Sequence, residues 1–169
     1  MVTALVNLWE QHPLALYYAL AACAYLLYLS VVLSLIDIRT HKLPDRYVLP
    51  AYPVAGLLLG MSALTAGDPS VLVRTVAGAL ALGALYWILW AVYPAGMGFG
   101  DVKLAGVLGL YLGFLSWPHV LLGTAAGFVV GGLWGVALIV ARRGTAQSHI
   151  PFGPAMMGGA LATMLLLPV

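Results

Sequence analysis

Charged residues are scarce in this chain. Only 7% of its 169 residues are Asp, Glu, Lys or Arg, while 63% are hydrophobic. An ordinary soluble domain carries about 25% charged residues, so lipid rather than water must solvate most of this surface. Cysteine is nearly absent. Cys23 stands alone, which excludes an intrachain disulfide and a CxxC metal knuckle, and within an apolar run it reads as a small packing group. The net charge of +2 is too small to point to nucleic acid. Residues 1–13 contain no Lys or Arg, and the first apolar run is too long for the core of a signal peptide. That run is expected to remain as a membrane span.

What the chain has in abundance is apolar segments. Six stand out, over residues 14–36, 50–66, 71–93, 102–116, 119–141 and 154–167. A helix needs about 20 apolar residues to cross the hydrocarbon; the second, fourth and sixth segments are shorter and rich in Gly or Pro. The expected fold class is all-α, a polytopic membrane protein built as a bundle of about six transmembrane helices and forming one membrane-embedded domain over residues 1–169. Residues 1–13, with Asn7, Glu10, Gln11 and His12 ahead of Pro13, are too short and mixed to span and are expected to lie at the outer interface.

The basic residues give this layout a direction. Six alternating spans put the 37–49, 94–103 and 142–153 loops on one side, with Arg39, Lys42, Arg46, Lys103, Arg142 and Arg143; only Arg74 falls near the other. The positive-inside rule makes the first side cytoplasmic and turns both termini outward. Trp9, Tyr52 and Trp117 read as interfacial anchors.

The acidic residues are five: Glu10, Asp37, Asp45, Asp68 and Asp101. Glu10 belongs to the outer segment, and Asp68, in Ala66-Gly67-Asp68-Pro69-Ser70, reads as turn chemistry on the outer side. The other three map to the cytoplasmic face, where Asp37 closes the first span and Asp101 precedes the fourth. An ionisable residue beside a span is costly and marks a candidate functional site. Two carboxylates at one membrane depth, if their helices pack together, cannot both ionise easily and tend to share a proton. The ionised member draws a proton from water while the protonated member donates to a carbonyl oxygen, which hydrolyses a peptide by general acid and base. The plainer alternative for each is a helix cap or a hydrated interfacial group. Asp45, after Pro44, reads as a cap of the second helix or as support on the substrate side, ahead of a catalytic role.

Around these carboxylates other readings stay paired. Gly96, Gly98 and Gly100 strip side chains from the approach to Asp101, either to admit an extended substrate or to form a tight turn. Lys103 balances the site's charge or snorkels to headgroups. Pro151-Phe152-Gly153-Pro154 shapes the rim of the site or starts the last helix. His41 and His149, in different loops with no third ligand, make a poor metal site, so no metal and no cofactor are expected.

The same residues carry a family resemblance. Asp37-Ile38-Arg39-Thr40-His41-Lys42-Leu43-Pro44-Asp45 is similar to the D-x-R-x-x-x-(I/L)-P-(D/N) segment of type IV prepilin peptidases. Gly98-Phe99-Gly100-Asp101-Val102-Lys103-Leu104 resembles their GxGD motif followed by V-K-L, and Ile150-Pro151-Phe152-Gly153-Pro154 resembles the segment before their last helix. Three segments in order cover nearly the whole chain. The resemblance implies a membrane-embedded aspartyl protease of the cell inner (plasma) membrane. Its substrate would be a prepilin or pseudopilin with a basic leader, cut at the cytoplasmic face. The family's two aspartates map onto Asp37 and Asp101; Gly98, Gly100, Lys103, Asp45, Arg39, Pro44, Pro151 and Gly153 would support the site or contact substrate. Larger members add a segment with paired cysteines and methylate the new N-terminus. This chain, with one cysteine and its first span near residue 14, resembles the short, peptidase-only members, and methylation is expected to come from another protein.

A different class of function is a small transporter component in which Asp37 and Asp101 relay protons or bind a cation, although transporter sites usually lie near the midplane. The sequence leaves the oligomeric state open. Gly127, Gly131 and Gly135, four apart in the fifth segment, suit close helix contact, expected within one chain.

Overall fold

The computed structural model describes residues 12–94, 96–140 and 151–168. The outer N-terminal segment with Trp9 and Glu10, the basic pair Arg142 and Arg143, and His149 and Ile150 lie outside the described residues. The helices are α1 (Pro13–Thr40), α2 (Asp45–Thr65), α3 (Pro69–Val92), α4 (Phe99–Leu115), α5 (Trp117–Val140) and α6 (Gly153–Leu166), and no strand occurs among the described residues. Helices α1, α2, α3 and the Trp117–Ala137 stretch of α5 are long and apolar enough to cross a membrane, while α6 is a shorter apolar helix. The fold is that of an all-α, multi-pass membrane protein. In hydrocarbon every backbone group must be satisfied within the protein, which is why apolar sequence this rich resolves into helices.

Local signals set the helix ends. Pro13 and Pro69 open α1 and α3 at positions where a missing N–H costs nothing. At the start of α3 the Asp68 carboxylate accepts both the amide (3.0 Å) and the hydroxyl (2.5 Å) of Ser70, the turn chemistry expected of it. α1 stops at His41, which takes the left-handed conformation at φ 53 and donates its N–H to the Asp37 carbonyl at 2.8 Å.

One boundary differs from expectation. α2 begins at Asp45, five residues before Pro50, and runs through both Pro50 and Pro53. Each proline removes a backbone donor, but Val48, Ala51 and Ala55 are buried on the same helix. Their packing outweighs the interrupted ladder.

α4 is the centre of the bundle, with thirteen of its seventeen residues buried. It meets α3 backbone to backbone. A Cβ on Gly78 would stand 2.5 Å from the Gly109 carbonyl oxygen and 2.8 Å from Gly113 Cα, so no side chain fits there. α5 meets α6 in the same way. A Cβ on Gly127 would lie 3.3 Å from Met156 Cα, and one on Gly131 would strike the Phe152 ring, so these two glycines of the fifth helix serve contact within the chain.

The two ends of the bundle are chemically unlike. At one end Arg74 donates to the carbonyls of Gly113 (2.8 Å), Phe114 (2.8 Å) and Leu115 (2.9 Å), satisfying the last turn of α4. There too the buried His119 joins Ser116 Oγ (2.7 Å) to the Leu167 carbonyl (3.2 Å). At the other end α1 finishes and α2, α4 and α6 begin. Arg39, Lys42, Arg46 and Lys103 all lie at that end.

Candidate active site

Asp37 sits in the last turn of α1 with 4% of its surface exposed. Its Oδ2 accepts the backbone N–H of Gly153, the first residue of α6, at 3.0 Å. Gly153 is required for that approach, because a Cβ there would stand 2.9 Å from the same oxygen. The contact turns the positive N-terminal end of α6 toward the carboxylate.

Asp101 is the third residue of α4, with 8% exposed. Its amide donates to the Gly98 carbonyl at 3.0 Å, and its Oδ2 accepts the Gly98 N–H at 3.2 Å. That reciprocal pair fixes the carboxylate against its own helix start, in the manner of a capping box whose first residue is glycine. Asp101 therefore does serve the cap, from inside the helix.

Leu43 joins the two halves. A Cβ on Gly100 would lie 2.8 Å from Leu43 Cβ, and one on Gly153 would lie 3.4 Å from Leu43 Cδ2. The α1–α2 turn is thus wedged between the starts of α4 and α6, with Asp37 against Gly153 on one side of Leu43 and Gly100, the neighbour of Asp101, on the other. Among the described residues no Lys or Arg forms an ion pair with either; the ion pair present joins Lys103 to Asp45.

The remaining expected residues fall around this centre. Asp45 is no N-cap: Pro44 occupies that position in extended conformation, and Asp45 is the first helical residue. Its exposed carboxylate receives Lys103 Nζ at 2.7 and 2.9 Å, because Pro44 turns the chain so that the α2 start faces α4. Lys103 also lies 5.2 Å from the Phe99 ring centroid, so its charge is directed at Asp45. Arg39 is exposed on the last turn of α1, and Pro151 is half-buried just before α6. Tyr52, expected as an interfacial anchor, is instead turned inward, donating its hydroxyl to the Lys103 carbonyl at 2.7 Å.

Sequence reasoning missed three neighbours of the site: Leu43, Tyr86 and Phe128. Tyr86 is buried on α3. Its ring stacks on Phe128 (centroids 5.4 Å apart), and both contact Phe152 (6.5 and 5.6 Å). The available signal was the buried spacing Gly78, Leu82, Tyr86 on one face of α3. Among the described residues no group of three His, Cys, Asp or Glu could hold a metal ion.

Comparison with known proteins bears on this constellation. A model of the type IV leader peptidase family matches residues 23–136, a range containing Asp37, Asp45, Asp101 and Lys103. The chain is 34% identical over 155 residues to a prepilin leader peptidase/N-methyltransferase of Aeromonas hydrophila, covering 91% of this chain and 52% of that protein. Proteins of the same description match from Burkholderia pseudomallei (33% over 150 residues; 86% of this chain, 45% of the relative) and Pseudomonas putida (36% over 125 residues; 73% and 42%). The chain spans about half the length of the curated relatives it matches. No solved structure matches it.

Proposed function

The chain belongs to the type IV leader peptidase family, and from that premise we propose that it is an aspartic endopeptidase that removes the basic leader from a prepilin-like precursor. The observation that carries the reading is the pair of buried carboxylates, Asp37 and Asp101, gathered at one end of the bundle with no described cation paired to either. The relatives' names supply the substrate class. We assign no residue of the described helices to the second activity in those names.

In the proposed reaction the ionised carboxylate takes a proton from a water molecule, whose oxygen attacks the scissile carbonyl carbon. The protonated carboxyl gives its proton to the carbonyl oxygen. The tetrahedral intermediate collapses as one of its hydroxyls returns a proton to the ionised carboxylate and the C–N bond breaks; the departing nitrogen takes the proton of the other carboxyl, so the pair again holds one. Gly153 N–H and Gly98 N–H each hold one carboxylate in place during this exchange. Gly98 leaves bare backbone beside the Asp101 carboxylate, while Gly100 makes room for Leu43. The proposed setting is the cytoplasmic face of the inner membrane, which the positions of Arg39, Lys42, Arg46 and Lys103 at the site end, with Arg74 at the other, support through the positive-inside rule.

Co-expression with a prepilin, followed by gel detection of leader removal, tests the reading. Asp37→Asn and Asp101→Asn are expected to abolish cleavage while the protein still inserts in the membrane. Full cleavage by Asp37→Asn would overturn the pair. Proton or cation flux through reconstituted protein, lost in the same variants and without any cleavage by the parent, would favour the transporter alternative.

A further inference from the structure

Each carboxylate of the proposed pair is held by one backbone N–H, but those bonds do not fix where α4 sits relative to α1. Gly98 ties Asp101 only to its own helix. The depth and rotation of α4 matter because one residue of slippage moves a side chain 1.5 Å along the axis and 100° around it. Two tyrosine hydroxyls address that register. Tyr111, fully buried in α4, donates to the Ala22 carbonyl of α1 at 3.1 Å, far from the site. Near the site the contact comes from α2, which is itself tied to α1 by Ser62 Oγ on the Ala15 carbonyl at 2.9 Å.

That contact is Tyr52. Its hydroxyl donates to the carbonyl of Lys103, two residues beyond Asp101, at 2.7 Å. Its ring fills a notch on α4 made by Gly106. A Cβ on Gly106 would strike the Tyr52 hydroxyl and lie 3.0 Å from Cζ and 3.1 Å from Cε1. The phenol therefore lies against bare backbone on the turn that follows Asp101. The second α2–α4 contact there, Asp45 with Lys103, is exposed, and exposed ion pairs fix geometry weakly.

We propose that Tyr52 is a positioning residue for the reaction, holding the first turns of α4 at the depth and rotation that bring Asp101 to Asp37. The proposal rests on the reading of Asp37 and Asp101 as the reacting pair. The residue does not touch the reacting atoms; it acts through the Lys103 carbonyl and the Gly106 notch.

The test uses the full chain in lipid nanodiscs, with Tyr52→Phe, Gly106→Ala and the double variant. Prepilin cleavage gives kcat and KM, and mass spectrometry follows amide exchange over residues 99–107. Tyr52→Phe keeps the ring and removes only the donor. It is expected to lower kcat about tenfold with KM unchanged, and to speed exchange over residues 99–107. Gly106→Ala is expected to lower kcat in the parent and to cost less in the Tyr52→Phe background, where the oxygen its methyl group strikes is gone. A parental kcat in Tyr52→Phe, or an equal loss from Gly106→Ala in both backgrounds, overturns the proposal. Exchange needs no substrate. If the parent cleaves no prepilin, the proposed function fails, while faster exchange in Tyr52→Phe still supports the clamp and unchanged exchange overturns it.

Discussion

Gly153 meets Asp37 through its backbone alone: the N–H donates to Oδ2 at 3.0 Å, and a methyl group on Gly153 would stand 2.9 Å from that same oxygen. One hydrogen bond and one steric limit thus bear on a single atom. Gly153→Ala is predicted to push the carboxylate off its donor and lower cleavage by about 100-fold, with insertion and helix content unchanged. Leader removal on gels and circular dichroism of the purified variant check it. An alanine variant with parental cleavage would remove Gly153 from the site.

Asp45 should behave differently from the other two aspartates at this end. Its carboxylate is exposed and already engaged by Lys103, and exposed pairs are worth about 0–1 kcal/mol. Asp45→Asn is predicted to keep cleavage within about threefold of the parent, since an exposed pair of that size changes little. A kinetic assay of the purified variant measures this, and loss as complete as in Asp101→Asn would move Asp45 into the chemistry.

Much of this arrangement was legible in the sequence, and the reasons for the rest are physical. Apolar runs and charge spacing located six helices, because hydrocarbon leaves the backbone no alternative. The same spacing brought Asp37 and Asp101 to one end of the bundle. The apolar segment 50–66 understates α2, because the polar turn from Asp45 adds no apolar signal, whereas Pro44 marks the helix boundary correctly. Asp45 looked like a cap because its partner, Lys103, is 58 positions away. The Gly153 amide could not be anticipated, since a backbone donor has no letter in the sequence. Tyr52 was read as an interfacial anchor because its position near a helix end does not reveal the notch that Gly106 opens across from it.

Glycines divide sharply in what they will tolerate. A Cβ on Gly109 would collide with the Gly78 carbonyl and lie 2.7 Å from Ala79 Cα, whereas one on Gly132 meets nothing within 4 Å. Gly109→Ala is predicted to destabilise the bundle by about 1–3 kcal/mol. Gly132→Ala is predicted to leave it unchanged or slightly firmer, since alanine is the better helix former. Denaturant titration of both variants in the same detergent compares them directly.

At the opposite end the hydroxyl and amide of Ser70 hold the Asp68 carboxyl below the usual carboxylate range. A depressed value in the folded state means the cap's contribution is present above the ordinary carboxylate pKa. It is lost as pH falls through the depressed value. The protection of the Ser70 and Val71 amides, measured against the intrinsic exchange rate at each pH, is therefore predicted to fall on acidification, confined to the first turn of α3. In Asp68→Ala that protection should be low throughout and no longer change with pH.

The order in which the helices occur along the chain has a consequence for biogenesis. Asp37 leaves the ribosome on the first described helix, yet its amide donor, Gly153, belongs to the sixth. Until α6 has entered the bilayer, a nascent chain carries both aspartates without the clasp that seats one of them. On the proposed chemistry, a half-made molecule is a protease with its safety on, and insertion of the last described helix is the step that arms it.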